Sequence, residues 1–150
     1  MNKILLLSFA CCFLSLPAYT QDPGQLDLNW AENGSCIIGF ENSDLYSYCA
    51  AIQSDGNIIA AGCRKEVSSS DKNLFAVKID ESGQLADFGN ADDHFVLDLG
   101  EENDYIQAIY IDQNDNIFLG GNSGLYGFLI KLDPHGEMDT SFGENGMLRF

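Results

Sequence analysis

Apolar and polar positions alternate along this chain in short bursts, separated by Gly and Asx clusters at intervals of about ten residues, the spacing of an all-β domain. Phe75, Val77 and Ile79 alternate with Ala76 and Lys78, the period of a strand with one apolar and one mixed face. Tyr110, Ile111, Ile117, Phe118 and Leu119 form fuller apolar runs, as inner strands covered on both faces require. After residue 20 no segment sustains a helical period. The pattern predicts strands near 36–40, 46–53, 57–63, 74–80, 94–99, 105–112, 116–121, 126–132 and 147–150. Asp55-Gly56 is a hairpin signal because Gly takes positive φ without steric cost, and Asp115-Asn116 is its weaker counterpart.

The bursts repeat. Asp55-Gly56-Asn57-Ile58-Ile59-Ala60-Ala61-Gly62 returns as Asn114-Asp115-Asn116-Ile117-Phe118-Leu119-Gly120-Gly121, so Gly62 maps to Gly121 across 59 residues. Phe75–Gly83 returns as Phe128–Gly136, so Gly83 maps to Gly136 across 53 residues. The difference falls in the polar stretch Ser68–Asn73, where an insertion into a loop costs little. A third element occurs three times: Gly136-Glu137-Met138-Asp139-Thr140-Ser141-Phe142-Gly143-Glu144-Asn145-Gly146, the shorter Gly83–Gly89, and Gly24–Gly34 with Trp30 in place of Phe.

These motifs resemble the delta-60 repeat, a family of tandem units in bacterial exported and surface proteins that is taken to form β-propellers. The resemblance covers nearly all of residues 24–150 and is most specific at 136–146 and 53–62. The chain departs from it at Leu85–Phe88, one residue short, and at Trp30-Ala31. It implies tandem four-stranded antiparallel sheets, β-propeller-like, about two blades plus the first strand of a third: repeat one at 24–83, repeat two at 83–136, and the start of repeat three at 136–150. In that architecture Trp30, Phe88 and Phe142 plug between blades, each stabilising by about 2–3 kcal/mol if buried. The small residues Ala60, Ala61, Gly62, Gly120 and Gly121 suit a crowded strand near the axis. Two sheets, near 36–80 and 94–132, are expected to pack face to face. Met147–Phe150 is expected to open the third, which makes the chain a fragment of a longer propeller or a self-associating one, through unpaired strand edges.

Charge and cysteine usage narrow the setting. Residues 1–20 have the form of a secretory signal: Lys3, an apolar run over 4–16, then Pro17-Ala18, with cleavage after Ala18 or Thr20. That run is shorter than the roughly 20 residues a membrane anchor needs, and no later stretch is apolar enough to span. The expected location is extracytoplasmic: secreted, periplasmic or at the cell surface. The formal net charge is −16, which disfavours nucleic acid and anionic lipid as partners. Cys36, Cys49 and Cys63 remain after the leader. A two-residue Asp55-Gly56 turn sets Cys49 opposite Gly62, and a three-residue Asp55–Asn57 turn sets it opposite Cys63; the shorter turn, with free thiols, is favoured.

No catalytic constellation is legible. His135 sits in the turn Asp133-Pro134-His135-Gly136. His94 follows Asp92-Asp93, a weak carboxylate–histidine signal for a metal. Asp112–Asn116 begins like a calcium loop but has Ile117 where Gly is required, and is a hairpin turn. Gly120-Gly121-Asn122-Ser123-Gly124 lacks a phosphate-loop Lys and is expected to be a turn. Tyr46, Tyr48, Tyr105 and Tyr126 suit core or edge packing better than a sugar-binding surface. No catalytic, cofactor or metal residue is therefore assigned. The expectation is an exported, non-catalytic interaction or surface-structural module with a protein or glycan partner. The rival is part of a secreted propeller enzyme acting on a polysaccharide or small lactone.

Overall fold

The computed structural model describes residues 24–90, 93–100 and 103–150, and the expected leader lies outside them. The described residues contain nine strands and no helix: β1 (Ser43–Ile52), β2 (Ile58–Glu66), β3 (Lys72–Ile79), β4 (Leu85–Ala86), β5 (His94–Leu97), β6 (Asp104–Ile111), β7 (Ile117–Ser123), β8 (Tyr126–Leu132) and β9 (Met147–Arg149). They form two antiparallel sheets. In the first, β1-β2-β3 is extended by β4 and β5, which share the far edge of β3; the second runs β6-β7-β8-β9.

The sequence repeat survives as ladder register. Ile52 pairs with Ile58 as Ile111 pairs with Ile117, and Ala76 pairs with Phe95 as Leu129 pairs with Leu148. The last pairing corrects two expectations. Residues 147–149 do not begin a third sheet; they pair with β8 as the outermost strand of the second. The 94–99 segment likewise closes the first sheet rather than opening the second. The sheets therefore span 43–97 and 104–149, so each takes its last strand from beyond the Gly that ends a sequence repeat. The partition is tertiary: β3 and β8 each offer an open ladder edge, and the next extended segment fills it.

The expected strand at 36–40 forms no ladder. Both edges of β3 are already occupied, by β2 and by β4 and β5, and the segment lies on the face of the sheet instead. There Phe40 meets Phe75 edge-on, ring centroids 5.6 Å apart.

The β1–β2 hairpin follows neither expected turn. Gln53 N–H donates to the Asn57 carbonyl (2.8 Å) and Gly56 N–H to the Gln53 carbonyl (3.0 Å), leaving a three-residue loop Ser54-Asp55-Gly56. Gly56 takes φ 88°, and Asp115 takes φ 61° at the same place in the second copy. Asp tolerates this left-handed region, which is why a repeat can hold Gly in one copy and Asp in the other. The register sets Cys49 opposite Ala61 and Cys63 opposite Tyr46, and the three cysteines are free thiols.

One core joins the sheets. Ile59, Ala61, Leu74, Ala76 and Phe95 of the first pack with Ile106, Ile117, Leu119, Phe128, Ile130 and Leu132 of the second. By the repeat, Ile117 and Leu119 correspond to Ile58 and Ala60, which lie on the opposite face of β2 from Ile59 and Ala61. The two sheets thus meet through different faces, head to tail. Phe88 sits in this interface, 1 % exposed, with its ring against Gly136. Trp30 and Phe142 are only half-buried.

Candidate functional site

β1 and β6 each carry one residue too many. The register slips between Ser47 and Cys49, and again between Ile106 and Ala108, so Tyr48 and Gln107 are bulge residues at equivalent positions. A bulge sharpens the local twist and re-aims its side chain. It also pushes the preceding backbone toward the neighbouring strand. A Cβ at Gly62 would overlap the Tyr46 carbonyl, and one at Gly121 would overlap the Tyr105 carbonyl. The glycine that ends each hairpin motif is there to receive the bulge. Gly120, whose added Cβ would meet nothing nearer than 3.9 Å, is under no such demand. Gly120–Ser123, expected in a turn, accordingly lies within β7.

The two bulges open one groove where β1 and β6 run side by side. Tyr48, Tyr105, Gln107 and Asn122 line it, enclosing about 480 Å³. Tyr48 is 50 % exposed, and its ring is tilted 54° to that of Tyr105 at 6.2 Å. Lys72 lies against Tyr105. Its ammonium lies 5.0 Å from the Tyr46 ring and 5.1 Å from the Tyr105 ring, and it donates to the Tyr105 hydroxyl at 3.4 Å. One lysine thus clasps an aromatic ring from each repeat. Below, the fully buried Cys63 sulfur is 3.7 Å from the Tyr48 hydroxyl.

The electrostatics suit recognition better than covalent chemistry. Burial pushes the Cys63 thiol up, against the opposing influence of Tyr48 and Lys72, and burial alone does the same at Cys49. Both stay protonated at neutral pH and are poor nucleophiles. The hydrogen bond to Cys63 raises the Tyr48 phenol, and the Tyr105 hydroxyl raises Lys72. The groove therefore presents phenols and amides with a fixed cation beside them.

Comparison with known proteins returns no match: no protein-family model, no curated protein and no solved structure is significantly similar to this chain. The delta-60 resemblance rests on its motif residues alone.

Of the four tyrosines singled out in the sequence, Tyr46, Tyr48 and Tyr105 come together; Tyr46 and Tyr48 are exposed and Tyr105 is half-buried. Tyr126 stands apart, under the Arg149 guanidinium at 4.6 Å. Gln107 escaped the sequence reading, and Asn122 entered it only as part of an expected turn. The signal was the repeat itself, since they are the second-copy equivalents of Tyr48 and Cys63.

The remaining candidates are structural. His94 Nδ1 donates to Asp93 (2.9 Å), while Nε2 accepts from Arg64 (3.3 Å), because a guanidinium can only donate. Its ring lies 4.5 Å from Phe40. Asp92 lies outside the described residues. The Asp112 carboxylate caps its own hairpin, accepting from the amides of Asn114 (2.8 Å) and Asn116 (3.0 Å), and these bonds, led by the Asn116 side chain, hold it below the usual carboxylate range. The His135 amide caps onto Asp133 (2.8 Å), the turn expected. Among the described residues no three His, Cys, Asp or Glu side chains converge as a metal site would need, and there is no helix long and apolar enough to cross a membrane.

Proposed function

We propose that the chain is an exported, non-catalytic repeat module of β-propeller type, of the delta-60 kind, acting through interactions at or beyond a bacterial cell surface. The head-to-tail packing of the two sheets carries this reading. Equivalent units that meet through different faces form a heterologous contact, which extends by addition or closes as a ring. A two-fold sandwich of identical faces would not extend. The repeated bulge and its receiving glycine add that both sheets are built to one plan, as blades are. The strongly acidic composition and the leader-like first 20 residues support an exported, soluble setting.

The test is expression of the full chain in a Gram-negative host. An extracytoplasmic product beginning at Tyr19 or Gln21 is expected, and a cytosolic chain that keeps Met1 would count against export. The same product, incubated with polysaccharides and small lactones, should leave them unaltered by mass spectrometry. Turnover would replace the interaction module with the enzyme reading.

A further inference from the structure

We infer that the groove between the two bulges is a binding site for neutral pyranose saccharides; this deepens the reading of the chain as an interaction module and rests on it. A pyranose has two chemically distinct surfaces. Its axial C–H groups form an apolar face that stacks on aromatic rings, and its equatorial hydroxyls need donors and acceptors at the rim. Both are present. Tyr48 and Tyr105 supply the rings, and Tyr48 is half exposed although a tyrosine inside a sheet pair is normally covered. Gln107 and Asn122 supply the rim: both line the groove, Gln107 exposed and Asn122 half-buried, and each side-chain amide carries a donor pair and an acceptor. The volume, about 480 Å³, falls in the range of small-ligand clefts and holds one to two sugar rings by its size.

Two further observations select among ligands. The rings are fixed before any ligand arrives, because Lys72 grips Tyr105 and Tyr46 while Tyr48 leans on the buried Cys63. Little side-chain entropy is then lost on binding. The chain carries a formal net charge of −16, so a uronic-acid polymer meets long-range repulsion that a neutral glycan does not.

The experiment is titration calorimetry on the secreted full chain with cellohexaose, maltohexaose and chitohexaose, with polygalacturonate as the charged control. Saturable binding of at least one neutral oligosaccharide is expected, with a dissociation constant at or below about 1 mM. Tyr48→Ala and Gln107→Ala should each weaken it by about tenfold or more, Tyr48→Phe should retain it, and Tyr110→Ala at the far end of β6 should leave it unchanged. Gln107 is exposed, so its variant keeps the test valid if Tyr48→Ala fails to fold. No binding of any neutral probe by a chain with intact β circular dichroism would overturn the site, as would binding indifferent to Tyr48 and Gln107, or binding of polygalacturonate alone. None of these results would touch the module reading, which falls instead if the bound oligosaccharide is recovered cleaved or oxidised.

Discussion

Lys78 and Lys131 occupy the same place in two copies of one repeat, yet they live in different surroundings. Lys78 on β3 lies under the second sheet, 8 % exposed, with its ammonium 3.5 Å from the Pro134 carbonyl. Lys131 on β8 has no sheet over it; it pairs with Asp139 at 2.7 Å and lies 5.8 Å from the Phe118 ring. The first sheet meets the second through one face and has Phe40 against Phe75 on the other. The second sheet is covered on one, and Tyr110 and Phe150 on its other side are 65 % and 77 % exposed. The same local pattern thus makes a core strand or a surface strand, according to what the neighbouring element supplies.

The sharpest way to break this comparison is at the two repeat phenylalanines. Phe88→Ala empties a site inside the core and should destabilise by about 3–5 kcal/mol, whereas Phe142→Ala, half-buried against Phe118 on the open face, should cost about 1 kcal/mol. Urea melts measure both. Equal losses would mean that the second sheet's far face is as well covered as the interface.

The glycines are next. Gly62→Ala and Gly121→Ala should each cost about 1–3 kcal/mol, because each pushes a Cβ into a bulge carbonyl, and Gly120→Ala should cost less than either. If Gly62→Ala and Gly120→Ala behave alike, the bulges yield easily and the groove between them is not rigid.

The smallest effects are in pH dependence, and the signs oppose. Lys131 first, then Ser141, hold the Asp139 carboxyl at about 2, below its usual range. Its contribution is complete above the ordinary carboxylate value of about 4 and is lost as pH falls through the depressed one. Asp104 is fully buried on β6, and burial raises its carboxyl against the Leu99 amide that donates to it at 2.8 Å. The folded chain holds that proton more tightly than the unfolded one, so stability falls as pH rises from about 4 through the raised value. Melting temperature against pH should therefore show a shallower acid limb in Asp139→Asn and a shallower descent on the alkaline side of 4 in Asp104→Asn. Curves superimposable on the parent's would show that neither group is linked to folding.

Much of this architecture is legible without coordinates, and the illegible parts share one cause. Strand alternation at 74–80 and 126–132, the Asp55-Gly56 hairpin and the 59-residue and 53-residue repeats all correspond to ladders in the structure. These are local: they depend on side-chain period, on φ at one residue and on short loops. Which sheet receives 94–97 or 147–149 depends on which ladder edges other segments leave open. Gly121 illustrates the limit. Its place in the motif is plain in the chain, but its reason is a carbonyl delivered from β6 by one extra residue. The groove is less legible still, because Tyr48, Tyr105, Gln107 and Asn122 come from three strands of two sheets. By itself the sequence determined an all-β chain of repeated hairpins, since periodicity and turn chemistry act over a few residues. Only tertiary structure decided strand ownership, the buried face and the shared groove, since each depends on backbone groups and surfaces brought together from distant parts of the chain.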